Sequence, residues 1–377
     1  CAWPRSRPPR HPLESDADNM TDLTRFATWC EIHAQPAIWR DWAAALDVAA
    51  LRAWVAAQAV DEVWFCGAGS SAYIGEMVVA ALEGGKGPRL RAVATTDLVA
   101  RPRAYLNGRR VLMVNFGRSG NSAETLGTLD LLDVLAPDSP RLNITCNAAS
   151  ALATRTAAHQ RVIVLPDATH DAGFAMTSSF STMLLTALAV FDLSTPESET
   201  KGRLETVSDN LQRLLPDIVA YAGSARRPDR VVFVGSGALT FAAREAALKV
   251  MELAAGQIPA LWDSTLGFRH GPKSFVCGAT DIWVFGSADP HAARYDADLV
   301  TELLAQFPGS TVTKIGPDGD IAVPTENWNI ILPVVVAQVL AVVWSDALGL
   351  TVDDPFAGQG TLSRVVSGVK LYPVTAT

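Results

Sequence analysis

In this 377-residue chain, side chains able to do chemistry gather in two hydroxyl-rich glycine turns and on one charged helical seam. The first turn, Gly67-Ala-Gly-Ser-Ser-Ala72, follows the apolar run Val63–Cys66. Glycines there let the backbone approach an anion at a helix start, where free amides and the helix dipole favour negative charge. Alone, the turn fits a relaxed dinucleotide fingerprint, Gly-x-Gly-x-x-Ala, or a tight strand–helix turn without ligand. The dinucleotide reading wants an acid about 20 positions on, and Asp97 comes late for it. The second turn, Phe116-Gly-Arg-Ser-Gly-Asn-Ser-Ala-Glu-Thr125, sharpens the choice. Ser119, Ser122 and Thr125 surround a glycine with hydroxyls, beside Arg118, and a phosphate monoester wants many short donors. One such serine could be an N-cap. Together with Ser70 and Ser71, the set favours a phosphosugar over a dinucleotide.

The seam is Glu245, Lys249 and Glu252, whose spacings of four and three put them on one helical face. Its bland reading is a solvated salt-bridge stripe. Against that, Ala246, Ala247, Leu248, Val250, Met251 and Leu253 make the rest of the helix apolar, so the seam is expected to face a cleft. His270 lies in Phe268-Arg-His-Gly-Pro-Lys273, a stiff turn able to aim an imidazole into a site. His33, His159 and His291 read as incidental.

These groups need elements to position them, and an internal repeat supplies them. Val63-Trp-Phe-Cys-Gly-Ala-Gly-Ser-Ser71 recurs as Val231-Val-Phe-Val-Gly-Ser-Gly-Ala-Leu239. Each copy reads as a buried strand, a glycine turn and a helix, over Tyr73–Leu82 and Phe241–Ala255. Further strands are expected at Leu90–Ala94, Arg110–Asn115, Arg141–Thr145 and Arg161–Leu165. In the second copy they are expected at Ile258–Trp262, Asp281–Phe285, Thr311–Ile315 and Trp328–Leu332. Strand–helix alternation of this length predicts an α/β fold of two tandem doubly wound parallel sheets, each a three-layer α/β/α sandwich. The expected division is a tail over 1–19, a helical lead-in over 20–50, a phosphate-binding domain over 51–200 and an acid–base domain over 205–377. The linker is expected near Ser194–Gly202, where Ser, Thr, Pro and Glu accumulate.

Composition bounds the partners. A 49% hydrophobic share against 19% charged residues allows a large filled core and excludes a disordered chain. The net charge of −8 argues against a nucleic-acid binder. Cys1, Cys30, Cys66, Cys146 and Cys277 are scattered and unpaired in sequence, which fits a reducing cytoplasm and no zinc site. No metal or redox cofactor is expected. Ile330–Trp344 is shorter than the roughly 20 residues a membrane span needs and reads as a buried core helix, so no membrane is expected. Cys1–Asn19 shows no apolar periodicity, and Met20 is read as the natural start.

The two serine turns resemble the phosphate cradle of the sugar-isomerase (SIS) family: strand–Gly-x-Gly-Ser-Ser–helix, then strand–x-x-Arg-Ser-Gly-Asn-Ser-x-Glu-Thr. The resemblance runs from about Glu31 to Pro373 and is nearest to the galactosamine-6-phosphate deaminase/isomerase branch, also described as tagatose-6-phosphate ketose/aldose isomerases. Glu31-Ile-His-Ala-Gln-Pro-Ala-Ile-Trp39, Phe174-Ala-Met-Thr-Ser-Ser-Phe180 and Leu266-Gly-Phe-Arg-His-Gly-Pro-Lys-Ser274 carry it further. It implies Glu252 as the enolisation base, Lys249 as the lysine one turn before it, and His270 as the ring-opening group, reaching the site from a neighbouring subunit of at least a homodimer. It extends the substrate pocket to Gly69, Thr177, Ser178 and Arg269. Glucosamine-6-phosphate synthase carries an active-site lysine where Ser367 stands here, so no mechanism through that lysine is carried over. A deaminase/isomerase of an amino-sugar 6-phosphate is the implied activity. A plain aldose–ketose isomerase, a glucosamine-6-phosphate deaminase, a fructosamine-6-phosphate deglycase and a non-catalytic sugar-phosphate sensor are its rivals.

Overall fold

The computed structural model describes residues 23–106, 109–360, 362–363 and 368–375; the expectations for 1–19, Met20 and Ser367 lie outside the described residues. Two parallel sheets carry the repeat. The first consists of β1 (Glu62–Cys66), β2 (Arg89–Ala92), β3 (Leu112–Gly117), β4 (Arg141–Thr145) and β5 (Gln160–Val164), in the order β2-β1-β3-β4-β5. The second consists of β6 (Arg230–Gly235), β7 (Ala260–Ser264), β8 (Thr280–Phe285), β9 (Thr311–Gly316) and β10 (Ile321–Ala322), in the order β10-β9-β8-β6-β7. Read from β7, that order is the first sheet's order repeated. Every strand pairing among the described residues is parallel.

The helices of the first half are α1 (Ala27–Ala45), α2 (Val48–Ala57), α3 (Ser70–Ala81), α4 (Thr95–Ala100), α5 (Pro102–Tyr105), α6 (Ala123–Leu135), α7 (Ala151–Thr154) and α8 (Ser178–Phe191). Then come α9 (Glu197–Ser224), α10 (Ala238–Leu253), α11 (Pro290–Gln306) and α12 (Leu332–Ala347). Strand side chains alternate between two buried faces, as a parallel sheet requires. Val63 and Phe65 join a core continuous with Val231, Phe233, Phe285 and the apolar faces of α1, α8, α9, α10 and α12. Trp64 and Cys66 point the other way, into a cluster closed by Leu98 of α4 and by Leu131 and Leu132 of α6. On the second sheet's outer face, Val232 and Val234 meet Leu299 and Leu303 of α11. The helices opened by the two glycine turns, α3 and α10, pack on each other across the repeat.

Both glycine turns need their glycines. Gly69 and Gly237 lie at φ +56° and +58°, and a Cβ on Gly67 would sit 2.5 Å from the Ser71 carbonyl carbon.

Three expectations are corrected. Trp328–Leu332 is not a strand: Asn327–Ile331 forms a 3-10 turn leading into α12, and the fifth strand is Ile321–Ala322. The apolar run continues through Val343, too long for a strand, and Pro333 suits the first turn of a helix. The segment 197–202 is not a linker but the start of α9, whose first turn places Glu197 and Glu199 at the positive end of the helix dipole. The lead-in helices continue past residue 50, to Ala57. Asn327–Ala347 is long and apolar enough to cross a membrane, with mean hydropathy 2.0, yet 83% of it is buried inside the protein. It is a core helix.

Candidate active site at the meeting of the two copies

In an open sheet of this order the strands on either side of the reversal, β1 and β3, splay their outgoing loops apart and leave a crevice at their carboxyl ends. Both serine turns emerge there, with Cys66 level with Asn115 in the register. Ser119 and Ser122 are partly exposed in that crevice, while Arg118 and Thr125 are buried. Ser122 also serves as the N-cap of α6: its hydroxyl accepts the Thr125 amide at 3.3 Å and is hydrogen-bonded to the Thr125 hydroxyl at 2.8 Å. The Ser119 hydroxyl accepts the Asn121 amide at 3.3 Å.

The first turn's serines are engaged differently. Ser70 and Ser71 are both buried. Ser70 donates to Glu245 Oε1 at 2.9 Å and accepts from Lys249 Nζ at 3.1 Å, so it ties α3 to the charged seam of α10. Ser71 points at Met176 Sδ, 3.8 Å away. Gly69 opens α3.

The seam is no solvated stripe. Glu245 and Lys249 are completely buried, and Glu252 is 27% exposed. Lys249 Nζ lies 3.2 Å from Glu245 and 2.7 Å from Glu252. Burial works against the lysine's charge, but the two carboxylates outweigh it and its pKa rises. One cation cannot neutralise two anions. Burial pushes Glu245 up to about 7, against the pull of Lys249 and with added repulsion from Glu252. Beside the seam, Arg244 pairs with Glu76 of α3 at 2.5 Å and lies over the Tyr73 and Trp262 rings.

Of the pocket residues, Thr177 and Ser178 turn out to be completely buried supports. The Asp171 carboxylate, also fully buried, accepts the amides of Thr177, Ser178 and Ser179 and so caps α8. The Thr177 hydroxyl donates to Asp171 and that of Ser178 to the Glu31 carbonyl. The Glu31 carboxylate accepts the Ala172 and Gly173 amides; burial, then Asp171, pushes its pKa up to about 7. The loop so fixed reaches the cradle, where Phe174 O accepts from Arg118 at 3.4 Å. Arg269 is bound to Glu302 at 2.6 Å, and His270 is exposed at the tip of its turn.

Sequence reading missed Asp171, Glu76 and Asp296. Asp296 explains why the second copy differs. At the matching reversal between β6 and β8, its buried carboxylate accepts the Ser236 hydroxyl (2.8 Å), the Thr265 hydroxyl (2.6 Å) and the Ser287 amide (2.8 Å). The second crevice is thus filled by the chain's own anion, and the Asp289 carboxylate caps α11 beside it.

No family model matches the chain. Sequence relatives do. The chain is 39% identical over 327 residues to a D-galactosamine-6-phosphate deaminase AgaS of Escherichia coli O157:H7, covering 81% of this chain and 84% of the relative. It is 36% identical over 371 residues to the AgaS of Shewanella sp. (strain ANA-3), covering 95% and 94%. This chain is an enzyme of the AgaS branch of the sugar-isomerase (SIS) family. A crystal structure of tagatose-6-phosphate ketose/aldose isomerase from Escherichia coli superposes with TM-score 0.83 at 33% identity, covering 96% of this chain and 98% of that one. Among the described residues, no group of His, Cys, Asp and Glu could hold a metal ion.

Proposed function

We propose that the chain converts galactosamine 6-phosphate and water to tagatose 6-phosphate and ammonia. The observation that carries the reading is the Lys249 ammonium, which joins Ser70 of the first copy to Glu252 of the second. That contact brings a partly exposed carboxylate beside the first copy's cradle. The names of the AgaS relatives support the substrate.

In this reading Arg118, Ser119, Ser122, Thr125 and the amides opening α6 hold the phosphate, and its binding energy fixes the distant sugar carbons. Ser70 and Ser71 brace that cradle, and Gly69 lets the chain turn into it. His270 assists ring opening to the aldehyde. Glu252 removes the C2 proton, the electron pair moves into a C1–C2 double bond, and the aldehyde oxygen gains a proton to give an enolamine. Glu252 returns a proton to C1, leaving a ketimine at C2. Water adds to that carbon and ammonia departs. Lys249 Nζ, 2.7 Å from Glu252, orients that carboxylate. The reading includes at least a homodimer in which the His270 turn serves the neighbour's site.

The test is ammonia release from galactosamine 6-phosphate and from glucosamine 6-phosphate, run beside isomerisation of tagatose 6-phosphate. Ammonia and ketose should appear in equal amounts from the galacto substrate, and faster than from the gluco epimer. Isomerisation without ammonia would instead favour the ketose/aldose isomerase named for the Escherichia coli neighbour.

A further inference from the structure

The turn carrying His270 is fastened more firmly than an exposed loop requires. It leaves β7 at Thr265, whose amide donates to Gly235 O at 3.0 Å and whose hydroxyl donates to Asp296 Oδ1 at 2.6 Å. Phe268 then buries its ring completely in the cluster that holds Leu299 and Leu303 of α11. Arg269 Nε donates to Glu302 Oε2 at 2.6 Å, and Lys273 pairs with the other oxygen of the same carboxylate. His270 lies between those two cations, at the exposed tip, followed by Gly271 at φ +122°. One helix therefore grips the turn before, beneath and on both sides of its histidine.

Stability alone does not account for this arrangement. Surface ion pairs add little, and Glu302 is 27% exposed. A buried carboxylate such as Asp296 is costly unless it is hydrogen-bonded, and one of the donors that satisfies it is the Thr265 hydroxyl at the root of the His270 turn. Holding an imidazole in one place does account for both, because small misplacements of a reacting group carry large rate penalties.

We propose that Asp296 and Glu302 of α11 are positioning residues for His270, acting through it and touching no substrate. The inference rests on the ring-opening role given to His270 above. It also gives Arg269 a task other than the substrate pocket.

The test is a double-mutant cycle on galactosamine 6-phosphate deamination, with His270→Ala, Glu302→Gln and the two combined. Loss of His270 should lower kcat by roughly 10²-fold. Glu302→Gln should lower it by roughly tenfold or more, with KM unchanged, since the phosphate cradle is untouched. The double variant should be no slower than His270→Ala alone, and Glu302→Asp should recover part of the rate. Arg269→Gln cuts the same clamp from the turn's side and should reproduce the pattern, as should Asp296→Asn. Losses that multiply in the double variant would mean that Glu302 acts independently of His270, which overturns the inference. An impaired His270→Ala beside a Glu302→Gln variant at wild-type rate overturns it alone. A His270→Ala variant at wild-type rate overturns the role of His270 itself, and the inference with it.

Discussion

Replacing Glu245 by glutamine should remove a pH dependence of stability that the wild-type chain carries. Lys249 is the cation shared by Glu245 and Glu252, and the completely buried Glu245 is pushed up to about 7 from an ordinary value of 4.5. Between those two values the folded chain holds a proton that the unfolded chain has released. Its contribution is therefore full below 4.5, falls as the pH rises through the window, and levels off above about 7. The ionised form costs about 3 kcal/mol once the window is crossed. For a chain this long the melting entropy is about 0.8 kcal/mol/K, so the effect is about 4 °C in Tm. Glutamine keeps an acceptor for Ser70 and Lys249 and has no proton to lose. Thermal melts of both proteins from about pH 4 to about pH 8 should show Tm of the variant minus Tm of the wild type rising by about 4 °C. Glu31 and Asp281, also raised, titrate in both proteins and cancel in the difference. A difference that stays flat with pH would mean that Lys249 neutralises Glu245 fully and the seam carries no surplus charge.

Ser119→Ala removes one donor to the phosphate, a charge-assisted bond worth about 1.5–3 kcal/mol, so KM should rise roughly ten- to hundredfold with a smaller fall in kcat; an unchanged KM in steady-state kinetics would remove Ser119 from the cradle. Arg244→Met cuts the Glu76 pair and the Tyr73 ring contact, both between α3 and α10, together with the contact to the Trp262 ring of β7. The loss should be about 2 kcal/mol, or about 2–3 °C in Tm, and a melt unchanged within error would show that this contact does not help hold the copies together.

The repeat was legible because continuous apolar runs and glycine turns are local properties. Val63–Cys66 and Val231–Val234 announce buried strands, and Gly67 and Gly69 announce the turn that follows. The seam's burial was legible for the same reason, since apolar residues fill the rest of α10. What stayed hidden depends on partners distant in sequence. Ser70 reads as a phosphate ligand until Glu245 and Lys249, 175 and 179 residues away, take its hydroxyl. Thr177 and Ser178 read as pocket residues until Asp171 and Glu31 occupy them. Asp296 carries no local sign at all, because it looks like any acid on an amphipathic helix until three loops converge on it. Composition misled at 197–202, where Ser, Thr, Pro and Glu suggest a linker but equally describe a helix start.

The central claim is that the second copy supplies the base for a substrate held by the first. Its most direct test is turnover of galactosamine 6-phosphate by Glu252→Gln, with binding of the substrate measured on the same preparation. Substrate affinity should be retained while kcat falls by roughly 10²–10⁴-fold, the range for loss of a positioned acid–base group. Turnover within a few-fold of wild type, with binding intact, would contradict the account and move the base elsewhere in the crevice.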